Sequence, residues 1–186
     1  DYLATYGVET NSWYERIDAE PSRIISVGSP RLYHCVRGRA AAREKGMQLF
    51  KQLGLDTARP VLFAAVPYVY ADLFQFDSYQ CAEFFETIRA VQNKIPGMQV
   101  LFKCRNDRYV HTTREYLRGL FNANSAVAGN EDVFALLCAS DVVVCGNSTL
   151  VYQAMLAEKP SVLYPWKGFD TYQEQVYERA APLVHT

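Results

Sequence analysis

The sequence predicts an α/β fold, a three-layer sandwich with a mainly parallel sheet. Three observations predict it. Short continuous apolar runs recur from residue 60 onward, the pattern of strands buried on both faces. Segments with helical apolar spacing alternate with those runs. Pro96-Gly97 and Lys159-Pro160 break the chain between segments. Alternating strands and helices imply right-handed crossovers, with helices covering both sheet faces.

The first 57 residues read as an interdomain connection and a lead-in helix, and residues 58–186 as the α/β domain. Residues 6–17 are polar and aromatic without a clear period. Residues 23–27 (RIISV) predict a strand leading into the turn Gly28-Ser29-Pro30-Arg31. Residues 39–53 predict a helix that Gly54 is placed to end.

Residues 61–66 (VLFAAV) predict the first strand of the domain. Asp77 is placed to cap a helix whose Cys81, Phe84, Phe85, Ile88, Val91 and Ile95 share an inward face. Residues 99–103 (QVLFK) predict the second strand. A helix follows near 111–121, with Tyr116, Leu117, Leu120 and Phe121 inward. Residues 125–128 predict a third strand, and 131–139 a helix burying Val133, Leu136 and Leu137. Residues 141–145 (DVVVC) predict a fourth strand. A helix over 149–158 then faces the sheet with Leu150, Val151, Ala154 and Met155. Residues 161–164 predict a fifth strand, and 171–180 a last helix.

Composition narrows the function classes. The chain has 186 residues, 49% hydrophobic and 21% charged, which suffices for a full core. The net charge is -1, so neither nucleic acid nor an anionic membrane surface is expected as the main partner. No run reaches the ~18 apolar residues that a spanning helix needs. The chain opens at Asp1 and reads as a piece of a longer protein. Its five cysteines are odd in number, widely spaced and without a CxxC, so they are expected as small core residues rather than a disulfide or metal framework. No acidic cluster suggests a metal.

The stretch richest in chemistry is Gly146-Asn147-Ser148-Thr149, between the fourth strand and its helix. Gly146 allows a tight turn and close approach of a ligand. Asn147 and Ser148 are good helix caps, and the unpaired N–H groups of a helix start attract anions such as a diphosphate. Gln153 lies one turn above Thr149, where its amide can reach sugar hydroxyls. The plain alternative is that Ser148 and Asn147 only cap the helix. Lys103 and Arg105, at the end of the second strand, are candidates to neutralise phosphate, Arg105 through a bidentate contact.

Other groups have bland readings. His111 fits a surface or capping role. His34 beside Cys35 has no third orienting group. His185 lies at the end of the sequence. Tyr68, Tyr70, Phe74 and Phe76 suit a lid, base stacking or an apolar seam, and Trp166-Lys167-Gly168 is equally open. Asp107 and Glu115 read as solvated charges. No GxGxxG follows the first strand and no Walker A lysine motif occurs, which disfavours dinucleotide dehydrogenases and P-loop enzymes.

Four motifs in order carry a family resemblance: residues 25–32 (ISVGSPRL), 100–106 (VLFKCRN), 132–141 (DVFALLCASD) and 148–160 (STLVYQAMLAEKP). Together the chain resembles the C-terminal, donor-binding domain of GT-B-fold glycosyltransferases over about residues 22–180. The branches it resembles are capsule or surface-polysaccharide transferases, CDP-glycerol glycerophosphotransferase-like enzymes and UDP-N-acetylglucosamine 2-epimerases. The resemblance implies a Rossmann-like domain that binds a nucleotide-sugar or CDP-linked donor, with no other cofactor. It implies that Gly146, Asn147, Ser148 and Thr149 hold the diphosphate, that Gln153 meets the ribose, and that the segment from Val127 through Asn130 to Glu131 wraps the base. It also implies a separate N-terminal acceptor domain, without which this half is inactive, so no catalytic residue is assigned here. A cytoplasmic polysaccharide-biosynthesis protein is expected, with peripheral association at the inner membrane face left open. Gln153 replaces the family's acidic residue, and Arg105-Asn106 replaces its His-Pro pair. A UDP-sugar 2-epimerase-like enzyme and a non-catalytic binding or scaffold domain are the alternatives.

Overall fold

The computed structural model describes residues 2–5, 7, 11, 14–16, 19–67, 78–105, 107, 110–121, 124–146 and 148–164. The chain divides into two compact units, Asp1–Arg37 and Gly38–Thr186.

In the first unit, β1 (Leu3–Thr5) pairs in parallel with β2 (Ile24–Ser26), in the register Leu3↔Ile24 and Thr5↔Ser26. A 3-10 turn, Pro21–Arg23, leads into β2, and α1 (Pro30–Arg37) follows it. The Asn11 carboxamide joins the two strands: it accepts from the Thr5 hydroxyl and donates to Ser26 Oγ at 2.9 Å. The strand predicted over 23–27 is present and shorter. Its partner β1 is too short to show a period in the sequence.

The second unit opens with α2 (Arg39–Gln52). Gly54, at φ +82°, ends it: Gly54 N donates to Lys51 O and Leu55 N to Phe50 O. Only glycine adopts that left-handed geometry at low cost, and the buried Phe50 and Leu55 accompany the turn. Five strands follow: β3 (Val61–Ala65), β4 (Gln99–Lys103), β5 (Ser125–Ala128), β6 (Val142–Cys145) and β7 (Ser161–Leu163). They form one fully parallel sheet in the order β5-β4-β3-β6-β7. The helices between them are α3 (Ser78–Lys94), α4 (Val110–Leu117), α5 (Val133–Ala139) and α6 (Leu150–Leu156). The five predicted strands and the parallel α/β architecture are therefore observed. Asp77 and the helix predicted over 171–180 lie outside the described residues.

Strand alternation divides the core. Leu62, Ala64, Val100, Phe102 and Val144 pack with Phe84, Phe85 and Ile88 of α3 and with Leu117 of α4. Cys145 and Leu163 pack instead with Val151 of α6. Helix α2 lies against α5, so closely that a Cβ on Gly46 would stand 2.0 Å from the Ala135 carbonyl oxygen. At the amino-terminal edge, Gln99 exchanges two hydrogen bonds with the Asp56 backbone, at 2.8 and 2.7 Å, and Asp141 Oδ2 accepts from Val61 N at 2.8 Å. These bonds fix the lead-in to β3.

Several inward assignments are corrected. Val91 and Ile95 are exposed on α3, where Gln92 takes the buried position and donates to Asn124 O at 3.1 Å, Tyr116 is 48% exposed on α4, and Met155 is 47% exposed on α6. Only the Val151 and Ala154 stripe of that short helix is fully buried. The helices predicted over 111–121, 131–139 and 149–158 run over 110–117, 133–139 and 150–156. No disulfide joins the five cysteines; four are buried and Cys81 is half-buried.

Candidate functional site

In a parallel sheet every strand presents its carboxyl end at the same rim. The chain runs outward from β3 to β4 and β5, then returns to β6 and β7 on the other side. The order therefore reverses between β3 and β6, where open α/β sheets form their ligand crevice.

On one side of that reversal, β6 ends at Cys145 and the chain turns through Gly146, Ser148 and Thr149 into α6. Asn147 lies outside the described residues. Gly146 and Ser148 are half-buried, and Thr149 is exposed. Leu150 N donates to Ser148 Oγ at 3.2 Å, so Ser148 does cap, whereas Thr149 makes no side-chain cap bond. Gln153 is half-buried on α6. Beneath the turn, burial pushes the Cys145 thiol up to about 12, which leaves it protonated and inert at neutral pH.

On the other side, the ends of β4 and β5 are joined by a polar network. Lys103 Nζ donates to Cys104 O at 2.6 Å and to Gly129 O. Burial holds its pKa below the usual lysine value, against the opposing pull of Glu131 and Asp107. Gly129 N donates to Glu131 Oε2. Asn130 N donates to Asp107 Oδ1 at 2.7 Å, and Asn130 Nδ2 donates to Asp107 Oδ2. Cys104 Sγ lies 3.4 Å from Thr113 Oγ1, and burial raises its pKa. The turn admits only glycine at 129: a Cβ there would stand 1.9 Å from Asp107 Oδ1.

The structure thus brings Lys103, Arg105, Asn130, Gly146, Ser148, Thr149 and Gln153 to the carboxyl half of one sheet. One expectation changes: the Lys103 ammonium is committed to two carbonyls. Asp107 is exposed, as expected of a solvated charge, and in addition bonds a turn 23 residues away. Asp107 could have been singled out by its place just beyond a strand end. Val127 is buried, and its carbonyl accepts from Arg114 Nη2 at 3.2 Å on the open edge of β5. Beside that edge lies an open groove of about 440 Å³, lined by Leu53, Arg114, Leu117, Phe121 and Ala126 among others. Of the predicted residues it includes Val127 alone. Arg105 is exposed at the rim, and His111 is exposed on α4. Asn106, residues 68–76, Trp166, Lys167, Gly168, His185 and the His34 side chain lie outside the described residues. Among the described residues, no group of three or more His, Cys, Asp or Glu could hold a metal, and no helix is long and apolar enough to cross a membrane.

No family model and no curated protein matches the chain. Solved structures do. The wall teichoic acid polymerase TagF superposes with a TM-score of 0.58 at 17% identity, over 88% of this chain and 38% of that one. WaaG, a glycosyltransferase involved in lipopolysaccharide biosynthesis, gives 0.55 at 13% identity, over 98% of this chain and 48% of that one. A glycosyl transferase family 9 structure from Veillonella parvula gives 0.52 at 11% identity, over 80% and 40%. The fold is therefore the Rossmann-like α/β fold found within GT-B glycosyltransferases. The chain spans about two-fifths of the length of the TagF chain.

Proposed function

We propose that this chain is the donor-binding half of a nucleotide-sugar or CDP-alcohol dependent glycosyltransferase acting in the cytoplasm. The observation that carries the reading is the Gly146–Thr149 turn at the carboxyl end of β6, beside the reversal of strand order. In this reading the turn receives the donor diphosphate through backbone N–H groups and the Ser148 and Thr149 hydroxyls. Gln153 bonds the ribose, and the Gly129–Glu131 turn flanks the base. Arg105 adds positive charge at the same rim, stabilising the diphosphate as it departs. Acceptor binding and the catalytic base belong to a second domain, so residues 1–186 bind donor without turning it over. The segmentation at 57/58, with a lead-in helix ahead of a nucleotide domain, belongs to this reading.

The test is a titration of the chain with UDP, CDP, GDP and ADP, followed by NMR shifts or calorimetry. Saturable binding of one diphosphate, lost in the Ser148→Ala/Thr149→Ala double variant, is the expected result. A folded sample that binds none of them overturns the reading for this chain. Lys103 favours one second reading, a non-catalytic binding domain of the same fold, because its ammonium serves the scaffold.

A further inference from the structure

β5 is an end strand: among the described residues its one sheet neighbour is β4. Asn124 O accepts from Val100 N at 2.9 Å, and Ala128 O accepts from Cys104 N at 2.8 Å. Backbone groups of alternate residues in a parallel strand point to opposite sides. Those of Ser125 and Val127 are therefore directed away from β4, to the open edge. The 3.2 Å bond to Val127 O agrees with this, since its donor is Arg114 on α4. Side chains alternate as well. Val127 packs with Leu117 and Phe121 on the α4 side of the sheet, so Ala126 points to the other face. The groove beside β5 draws on both faces: Arg114, Leu117, Arg118 and Phe121 line it, and so do Leu53 and Ala126. Both arginines are exposed, and Arg118 pairs with Glu115 at 2.7 Å.

We propose that this edge takes up an extended acidic peptide segment of another protein as an added strand. Its backbone bonds Ser125 and Val127, its carboxylates meet Arg114 and Arg118, and the apolar residues between them lie beside Ala126 and Leu53. Strand addition draws affinity from main-chain hydrogen bonds and specificity from alternate side chains. Charge decides the occupant. Charged side chains guard exposed sheet edges, and Arg114 holds the place on Val127 O that the N–H of an added strand would take. An entering strand must displace it. A carboxylate gives the guanidinium a charge-assisted bond in exchange for a neutral one. A second copy of this chain, paired edge to edge, would instead set two arginine pairs against each other, and like charges directly opposite weaken a strand pair. A compact anion would use the guanidiniums and leave the strand edge and the apolar lining unused. The Gly146–Thr149 turn does not line the groove, so the proposal is independent of the donor reading.

The test is an NMR titration of the chain with alternating Val-Glu and Val-Lys hexapeptides and with a fully N-methylated form of the Val-Glu peptide. The Val-Glu peptide is expected to shift the Ser125 and Val127 amides saturably. The Val-Lys and N-methylated peptides are each expected to bind at least about tenfold more weakly. The Arg114→Glu/Arg118→Glu variant, with an unchanged circular dichroism spectrum, is expected to prefer the Val-Lys peptide. The peptide comparison decides even where that variant does not fold. No binding of the Val-Glu peptide, equal affinity for the Glu and Lys peptides, or undiminished binding of the N-methylated form each overturns the proposal. So do shifts of the same amides with protein concentration alone, which would make a second copy the occupant. Equal shifts from inorganic phosphate would make it a compact anion and overturn the proposal too.

Discussion

Two strand–turn–helix units of the same sheet end in helices of seven residues, yet their turns are built on opposite plans. After β5, the turn is bonded throughout: Gly129 uses both backbone groups, Asn130 binds Asp107 twice, and Asp132 caps α5 by accepting from Ala135 N at 3.1 Å. Helix α5 is buried from Phe134 to Ala139. After β6, the described part of the turn has one side-chain bond, at Ser148, and α6 exposes Tyr152 and Met155. A turn whose donors are already satisfied acts as scaffold. A turn with donors unused by the protein can take a ligand, because binding there displaces only water.

The scaffold side, the turn after β5 together with the buried helix α5 that follows it, is where substitutions should cost most. Gly46→Ala drives a methyl group into the Ala135 carbonyl and forces α2 away from α5. The expected loss is about 3 kcal/mol, or a fall in melting temperature on the order of 10 °C by circular dichroism. A melting point within a degree or two of the parent would mean that the helices are not packed so closely. Gly129→Ala comes next, at about 2 kcal/mol, since the new Cβ meets Asp107 and the Val110 side chain. The same variant should speed amide exchange at Asn130. Unchanged exchange there would show that Asp107 does not anchor the turn.

The sheet was legible in the sequence because fully buried strands are written as unbroken apolar runs, as in 61–65 and 142–145. The contrast between the two turns was not. Lys103 and Arg105 could be placed at a strand end by counting, but one of the two carbonyls that hold Lys103 belongs to a residue 26 positions away. The bonds that the exposed Asp107 accepts from Asn130 are long-range in the same way. Helix periodicity also misplaced the buried face at the end of α3, because an apolar pattern passes over a polar residue such as Gln92, which is the one buried there through its bonds to Met98 O and Asn124 O. The Gly146–Thr149 turn was legible, since glycine and cap residues at a strand-to-helix junction mark it locally.

At that open turn, stability and binding should separate. Ser148→Ala with Thr149→Ala removes one observed cap bond and is expected to cost about 1 kcal/mol or less in urea unfolding. Affinity for the preferred nucleoside diphosphate should fall more than about tenfold, equivalent to about 1.4 kcal/mol. A large loss of stability with unchanged affinity would make Ser148 a cap and nothing more.

The smallest effect tests the charge at the scaffold turn. Burial tends to raise the Asp132 pKa, but hydrogen bonds from Lys45 and from the backbone N–H groups of Ala135 and Phe134 outweigh it and hold the carboxyl below its ordinary value. A carboxyl depressed in the folded state contributes stability that is present above its unfolded value and lost as pH falls through its folded value. Asp132→Asn keeps a capping oxygen and removes only the charge. Lys45 and Asp132 are 58% and 41% exposed, so solvent screens the pair and the expected loss at neutral pH is about 0.5 kcal/mol. In urea unfolding across pH, parent and variant should converge as acid protonates Asp132. A gap that persists in acid would mean that cap geometry, rather than charge, distinguishes this turn from the one after β6.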